Sequence, residues 1–323
     1  MRLGMVIAIV LCGVIHASAQ AQPAQSLDDA WWTGPMLAPS ASTLPRGHIL
    51  IEPYFFDLIG YGAYDRDGAS HRIRHAERFG SLTYLNYGLA DRFTVGVIPT
   101  FAYNTVSNGL SSSGVGFGDV TFQGQYRLRK FHEGSWLPTT SVCVQETFPT
   151  GKYDRLSRST DGIGSGAYTT TIGLYTQTFF WLPNGRILRM RLNGSEALSR
   201  RARVEGASVY GTDVGFRGWA KPGASFLFDA AWEYSLTKRW VLALDATYSH
   251  GANTSVIGYD FSNPLTAHSL RLDSGSNDAF VMAPAVEYNL SSKVGVLLGV
   301  RVVPAGRNVT ATVAPVLAIN IVH

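Results

Sequence analysis

The chain has 323 residues, of which only 15% are charged, and a net charge of +4. A soluble domain carries roughly 25% charged residues, so a chain this poor in charge would associate in water unless much of its surface faced something else. The weak, scattered positive charge excludes a nucleic-acid footprint. The two cysteines, Cys12 and Cys143, exclude a disulfide framework and a thiolate metal site.

The first residues read as a secretory leader. Met1 and Arg2 give a positive start, Leu3 to Ile15 an apolar run, and Ala17-Ser18-Ala19 and Ala19-Gln20-Ala21 two small-residue cleavage sites. Residues 1–21 are therefore expected to be a signal peptide. Cys12 follows Leu11 rather than a small residue, so no lipid anchor is expected. Residues 22–46 form an N-terminal extension. It holds Asp28, Asp29, Trp31 and Trp32, then a Pro- and Ser-rich run, with neither a strand nor a helix period.

From residue 47 to 323 the dominant signal is two-residue alternation in stretches of about ten, split by turn-rich segments, the pattern of a transmembrane barrel. Expected strands span 47–58, 76–88, 92–105, 115–130, 137–149, 166–182, 186–198, 222–235, 239–250, 277–290, 293–304 and 308–322. In the third, Phe93, Val95, Val97, Phe101 and Tyr103 alternate with Thr94, Gly96, Thr100 and Asn104. In the eighth, Phe226, Phe228, Trp232 and Tyr234 alternate with Asp229 and Glu233. In the last, Val309, Val313, Leu317, Ile319 and Ile321 share a face opposite Thr310, Thr312 and Asn320. No later stretch reaches the roughly 18 apolar residues of a membrane helix; the longest, Val294 to Val303, is broken by Arg301. A chain that spans hydrocarbon without helices must close its backbone hydrogen bonds in a barrel.

Short turns alternate with long connections at 59–75, 106–114, 150–165, 199–221 and 251–276, as periplasmic turns alternate with external loops. Tyr87-Gly-Leu-Ala-Asp-Arg92, Tyr234-Ser-Leu-Thr-Lys-Arg239 and Tyr288-Asn-Leu-Ser-Ser-Lys293 repeat one hairpin, with a tyrosine at the membrane–water boundary. The expected fold is an all-β, antiparallel up-and-down transmembrane barrel of twelve strands. The extension then either folds into the lumen as a plug, led by Trp31 and Trp32, or hangs in the periplasm.

Alternation turns the charged strand residues inward, since a charge facing lipid at mid-depth costs roughly 2–4 kcal/mol. Glu52, Asp119, Arg127, Arg189, Arg191, Asp229, Glu233, Asp245, Glu287 and Arg301 are the expected lumen lining. Mixed charges in a narrow barrel read first as an ion-pair network and second as a solute path or ion site. Gly162-Ile-Gly164-Ser-Gly166 runs into a strand rather than a helix, so it offers no dinucleotide site. Thr150-Gly151-Lys152 lacks the earlier glycine of a phosphate loop. The His71-Arg-Ile-Arg-His75 run reads as a solvated external loop. Tyr248-Ser249-His250-Gly251-Ala252-Asn253 resembles the His-bearing strand end of outer-membrane phospholipases, but Ala252 stands where their nucleophilic serine does, leaving His250 nothing to activate. No catalytic residue, metal or cofactor is assigned.

Several stretches resemble the MetA-pathway of phenol degradation family of outer-membrane transporters. They are Asp29-Ala-Trp-Trp-Thr-Gly-Pro, Leu44-Pro-Arg-Gly-His, Tyr87-Gly-Leu-Ala-Asp-Arg-Phe-Thr-Val-Gly-Val, Gly116-Phe-Gly-Asp-Val, Phe148-Pro-Thr-Gly-Lys-Tyr and Gly164-Ser-Gly-Ala-Tyr. The resemblance implies passive passage of small aromatic or hydrophobic solutes across the outer membrane. A non-transporting structural or surface-binding barrel is the alternative, and a lipid hydrolase a remote third. The partners expected are outer-membrane lipids, lipopolysaccharide and the barrel-assembly machinery. The chain ends Ile321-Val-His323 rather than on the aromatic residue that many such barrels present to that machinery.

Overall fold

The computed structural model describes residues 24–263 and 266–323. The expected signal peptide lies outside the described residues. Twelve strands form the wall: β1 (Ile49–Tyr64), β2 (Ala76–Ala90), β3 in two segments (Phe93–Ile98 and Thr100–Val106), β4 (Val120–Arg129), β5 (Thr139–Phe148), β6 (Thr169–Trp181), β7 (Ile187–Ser199), β8 (Ser225–Ser235), β9 (Trp240–Gly251), β10 (Asn277–Asn289), β11 (Val294–Arg307) and β12 (Val309–Val322). Each pairs antiparallel with its chain neighbours. β1 pairs with β2 on one side and, from Leu50↔Val322 to Tyr64↔Val309, with β12 on the other. The wall is therefore closed, and no edge strand is left to pair with another chain.

The strands run where alternation placed them, with three exceptions, the first being β1, which runs on to Tyr64, six residues past its expected end at 58. β3 is cut at Pro99, which has no N–H to donate to the ladder. β4 begins at Val120, not 115, because Gly116–Phe117 pairs back onto Phe101 and Ala102 of β3.

One face of each strand is apolar and bare. Phe55, Phe79, Phe101, Phe122, Ile172, Leu174, Leu192, Phe228, Leu242, Leu298 and Leu317 are all exposed and point away from the barrel axis. In water such a belt would drive association; in hydrocarbon it is the solvated surface. At the short-turn end, Tyr87, Tyr126 and Phe180 are exposed, and Trp240 packs on Tyr288 at 4.6 Å, an aromatic girdle at the membrane boundary. Two of the three copies of the repeated hairpin owe their shape to a hydroxyl, where the first has Ala90. Thr237 Oγ1 accepts from the N–H groups of Arg239 and Trp240, and Ser291 Oγ from those of Lys293 and Val294. The chain is an outer-membrane barrel.

The connections at 199–221 and 251–276, expected as loops, carry strands of their own. Ala202–Glu205, Phe216–Lys221, Ser255–Asn263 and Thr266–Asp273 form a second antiparallel sheet beyond the rim, extending the wall of β7 to β10. Its buried face holds Val204, Phe216, Ala220 and Val256, packed against Tyr153 and Tyr210. Alternation is present in these segments. They read as loops because they are broken from the barrel strands by residues such as Pro222 and Gly223, and the two hairpins join into one sheet only where Phe216–Lys221 pairs with Ser255–Asn263 of the other connection.

Candidate functional site

Residues 30–44 occupy the lumen. The wall opposite them was shaped for it: Ala231, Ala243, Ala283, Ala285, Ala314 and Ala318 are all buried small residues on β8, β9, β10 and β12. On β11, a side chain at Gly295 would lie 1.9 Å from Thr33 Oγ1, and one at Gly299 would lie 2.5 Å from Met36 Cε. Small inward residues leave a groove one backbone wide.

The groove floor carries charges. Asp245 on β9 accepts three backbone N–H groups, from Met36 at 2.9 Å, Leu37 at 3.2 Å and Ala38 at 3.0 Å. Glu287 on β10 accepts those of Thr33 at 2.7 Å and Gly34 at 3.2 Å. The segment lacks a ladder partner, so these carboxylates satisfy N–H groups that would otherwise be orphaned in a buried site. Donors from β4, β5 and β7 take its carbonyls. Arg191 Nη1 donates to Ala38 O at 2.7 Å, Asn193 to Pro39 O at 2.9 Å, Gln125 to Ser40 O at 2.9 Å, and the Ser141 hydroxyl to Ala41 O. The tryptophans anchor the segment's inner end. Arg189 stacks over Trp32 with its guanidinium 4.5 Å from the ring centroid, and Trp32 meets Phe179 at 6.3 Å. Trp31 lies under Lys238, whose Nζ is 5.2 Å from the ring centroid, and its N–H donates to Lys238 O.

Behind these contacts sits the ion-pair network. Glu233, fully buried, is gripped by Arg189, one of whose bonds is 2.6 Å, and lies 3.4 Å from Arg191 Nε. Two guanidiniums on β7 thus face one carboxylate on β8, and Asp245 and Glu287 on β9 and β10 add two more carboxylates, whose oxygens are met by the segment's N–H groups. Removing one member of such a buried set costs about 3–5 kcal/mol, because its partner is left uncompensated.

The segment fills only one side of the lumen. Between it and the walls of β1 to β6 lies a cavity of about 270 Å³, lined by Glu52, Tyr54, Tyr84, Asn86, Gln123 and Gln145 among others. Its walls mix phenol rings and neutral amides with the charged Glu52, Arg189 and Arg191. Above it Phe56, Leu58, Leu82 and Leu37 give an apolar stretch, and the Phe56 ring lies against Gly80.

Of the ten charged positions expected to line the lumen, Arg189, Arg191, Glu233, Asp245 and Glu287 converge on the segment. Asp229 is buried one rung outward, between Asn193 and Thr247 in the ladder. Glu52 faces the cavity, 3.0 Å from the amide of Asn320. Arg127 shares the inward face of β4 with Gln125, and Arg301, half-buried on β11, reaches Thr312 at 3.4 Å. Asp119 requires a correction. It precedes β4 at the outer rim and accepts from the N–H groups of Gly151 and Ser165 and the Ser165 hydroxyl, so it ties loops together rather than lining the lumen. The reason is the late start of β4, which leaves Asp119 in a connection. His250 is half-exposed at the outer rim, its Nδ1 2.8 Å from Asp278, which also accepts from Tyr248 and Arg307. Sequence reasoning by charge alone missed the neutral lining, namely Asn86, Gln123, Gln125, Ser141, Gln145, Asn193 and Asn289. Their shared parity with the charged positions was the signal that marks them.

The family model for the MetA-pathway of phenol degradation matches residues 71–302. The chain belongs to that family. Among solved structures, an outer membrane channel from Pseudomonas putida F1 is 15% identical, with a TM-score of 0.67 over 89% of this chain and 100% of that one. A toluene transporter from Ralstonia pickettii is 10% identical, with a TM-score of 0.39 over 91% of this chain and 95% of that one. The NanC porin is 10% identical, with a TM-score of 0.42 over 83% and 98%. At these identities the likeness to the first is one of fold. No curated protein matches the chain. The family match begins within the loop after β1, so it leaves the lumen segment, with Trp31 and Trp32, outside the matched span.

Proposed function

We propose that this barrel is a passive conduit for small aromatic or hydrophobic solutes across the outer membrane, with residues 22–46 as the plug that sets how open it is. The observation that carries the proposal is the cavity left beside the segment. A lumen filled for structure alone would be packed with side chains. Here a closed wall keeps about 270 Å³ free, lined by the rings of Tyr54, Tyr84 and Tyr175 and by amides rather than by charge alone. Drug-sized ligands occupy pockets from about 300 Å³ upward, so this space suits one single-ring molecule with a polar substituent. Ring faces supply apolar contact, and Gln123, Gln145 and Asn86 supply donors and acceptors for a hydroxyl. The family to which the chain belongs is associated with phenol degradation, which favours the same solute class.

The Arg189–Glu233–Arg191 network and the carboxylates of Asp245 and Glu287 are plug anchors in this reading, not a solute-binding site. No group is assigned a catalytic part. Flux through proteoliposomes holding the refolded mature chain tests the proposal, with phenol-like compounds, sugars and small ions in parallel. Phenol-like solutes should pass faster than through protein-free vesicles and faster than sugars of similar size. Deletion of residues 22–46 should raise passage of all three. A folded barrel that passes nothing, with or without the segment, would make it a structural or surface-binding element instead.

A further inference from the structure

The sheet beyond the rim has a second face that none of the described residues covers. Its rungs are set by register: Arg203, Trp219, Ile257 and Arg271 lie side by side, and Glu205, Arg217, Tyr259 and Ser269 form the next rung on the same face. Trp219, Ile257, Tyr259 and Phe261 are each between 44% and 56% exposed, on the side opposite the buried Val204, Phe216 and Val256. The guanidinium of Arg217 sits 5.6 Å from the centroid of the Phe261 ring.

Charge on this face is unbalanced. Arg155 and Arg203 share Glu205, and Arg271 pairs with Asp273 at 2.7 Å. Arg217, beside Glu205 in the ladder, and Lys221 make no ion pair among the described residues, so the face holds four cations, Arg203, Arg217, Lys221 and Arg271, against the two carboxylates Glu205 and Asp273. The buried face rests on the loop that carries Tyr153, so the bare face looks away from the barrel mouth, toward the surrounding outer leaflet. Trp219 lies seven residues before Phe226, an exposed aromatic of the membrane belt. At about 3.3 Å per residue and a strand tilt near 40°, it stands roughly 15–20 Å above that belt. This is the level of headgroup phosphates and sugars, not of acyl chains.

The geometry points to a docking surface for the phosphorylated saccharide of lipopolysaccharide. Arg217 and Lys221 meet phosphate, and the ring faces of Trp219, Tyr259 and Phe261 stack on sugar. Guanidinium and ammonium groups in excess over carboxylates bind phosphate, and aromatic rings with one wet edge suit an interface that is neither oil nor water. The placement rests on the outer-membrane location of the barrel and is independent of whether its lumen conducts.

Native mass spectrometry of the full mature chain released from detergent micelles tests the assignment. The probes are rough lipopolysaccharide, the same material dephosphorylated, and phosphatidylglycerol. The wild-type chain should retain the phosphorylated glycolipid in preference to both others. The double variant Arg217→Gln, Lys221→Gln should bind it roughly thirty-fold more weakly, the equivalent of about 2 kcal/mol at about 1 kcal/mol per cation. Trp219→Ala should weaken binding of the dephosphorylated form too, as ring loss removes the sugar contact. Heat-dependent mobility on gels confirms a folded barrel, and Lys221→Gln alone serves if the double variant misfolds. Equal retention by wild type and variant would overturn the assignment. So would equal binding of phosphatidylglycerol, which would indicate mere anionic attraction, or a wild-type dimer that the double variant loses, which would make the face a contact between copies.

Discussion

Replacing Asp245 by alanine removes the acceptor for three consecutive backbone N–H groups, those of Met36, Leu37 and Ala38, at 2.9, 3.2 and 3.0 Å. Hydrogen bonds to a charged group contribute about 1.5–3 kcal/mol each. The undocked segment recovers part of that from water, so the docked state should lose about 3–5 kcal/mol, the range for breaking a buried charged set. At about 1.4 kcal/mol per decade, the segment's opening equilibrium should rise by roughly two to three and a half orders of magnitude. Hydrogen exchange read by mass spectrometry on the refolded barrel measures this directly. Amides 33–41 should lose protection by that factor in Asp245→Ala, while β1 to β12 keep theirs. Asp245→Asn, which keeps one acceptor oxygen, should fall between. Unchanged protection in 33–41 in a folded Asp245→Ala barrel would show that the carboxylate does not hold the segment, and the anchor would then have to lie in Glu287 and Arg191.

Leu244 and Asp245 are adjacent but face opposite media, so Leu244→Arg should cost folding of the wall into lipid vesicles about 2–4 kcal/mol, whereas the cost of Asp245→Ala falls on docking of the segment and leaves the wall folded; equal folded yields would invert the facing of β9. Gly295→Val places atoms where Thr33 Oγ1 now sits, and overpacking of this kind costs about 1–3 kcal/mol. It should raise solute flux through proteoliposomes without lowering the yield of folded barrel, and unchanged flux would show that the segment does not limit passage. In the outer sheet, the hydrogen bond from Arg271 and then that from Asn253 pull the Asp273 carboxyl down to about 2. A depressed folded-state value contributes stability above the unfolded carboxyl range near 4 and loses it as pH falls through about 2. Cleavage of residues 252–276 by an acid protease should therefore rise between pH 4 and pH 2, and Arg271→Gln should move the rise to higher pH; an identical profile in the variant would sever Asp273 from the sheet's acid stability.

The wall was legible because a barrel strand's two faces meet two different solvents. Lipid against Phe228 and Leu242 and a lumen against Asp229 and Asp245 impose a period that survives in the bare sequence. The same parity turned Arg189, Arg191, Glu233, Asp245 and Glu287 inward. It could not say whether they would meet water, one another or another part of the chain. Asp119 shows the limit of the method: period alone does not fix where a ladder begins, and Gly116–Phe117 pairs with β3 instead. The outer sheet shows another, since its two hairpins become one sheet only where Phe216–Lys221 meets Ser255–Asn263, dozens of residues on.

Sequence by itself determined the class of solvent on each side of the wall, the number of strands and the short-turn girdle, because these depend on residues two apart or a hairpin apart. Tertiary structure alone decided the rest. The extension has no period of its own, since its N–H and C=O groups are met one at a time by side chains from seven different strands rather than by a ladder. Its place in the lumen follows from the buried alanines, Gly295 and Gly299, which are spread over β8 to β12 and form a groove only when those strands assemble.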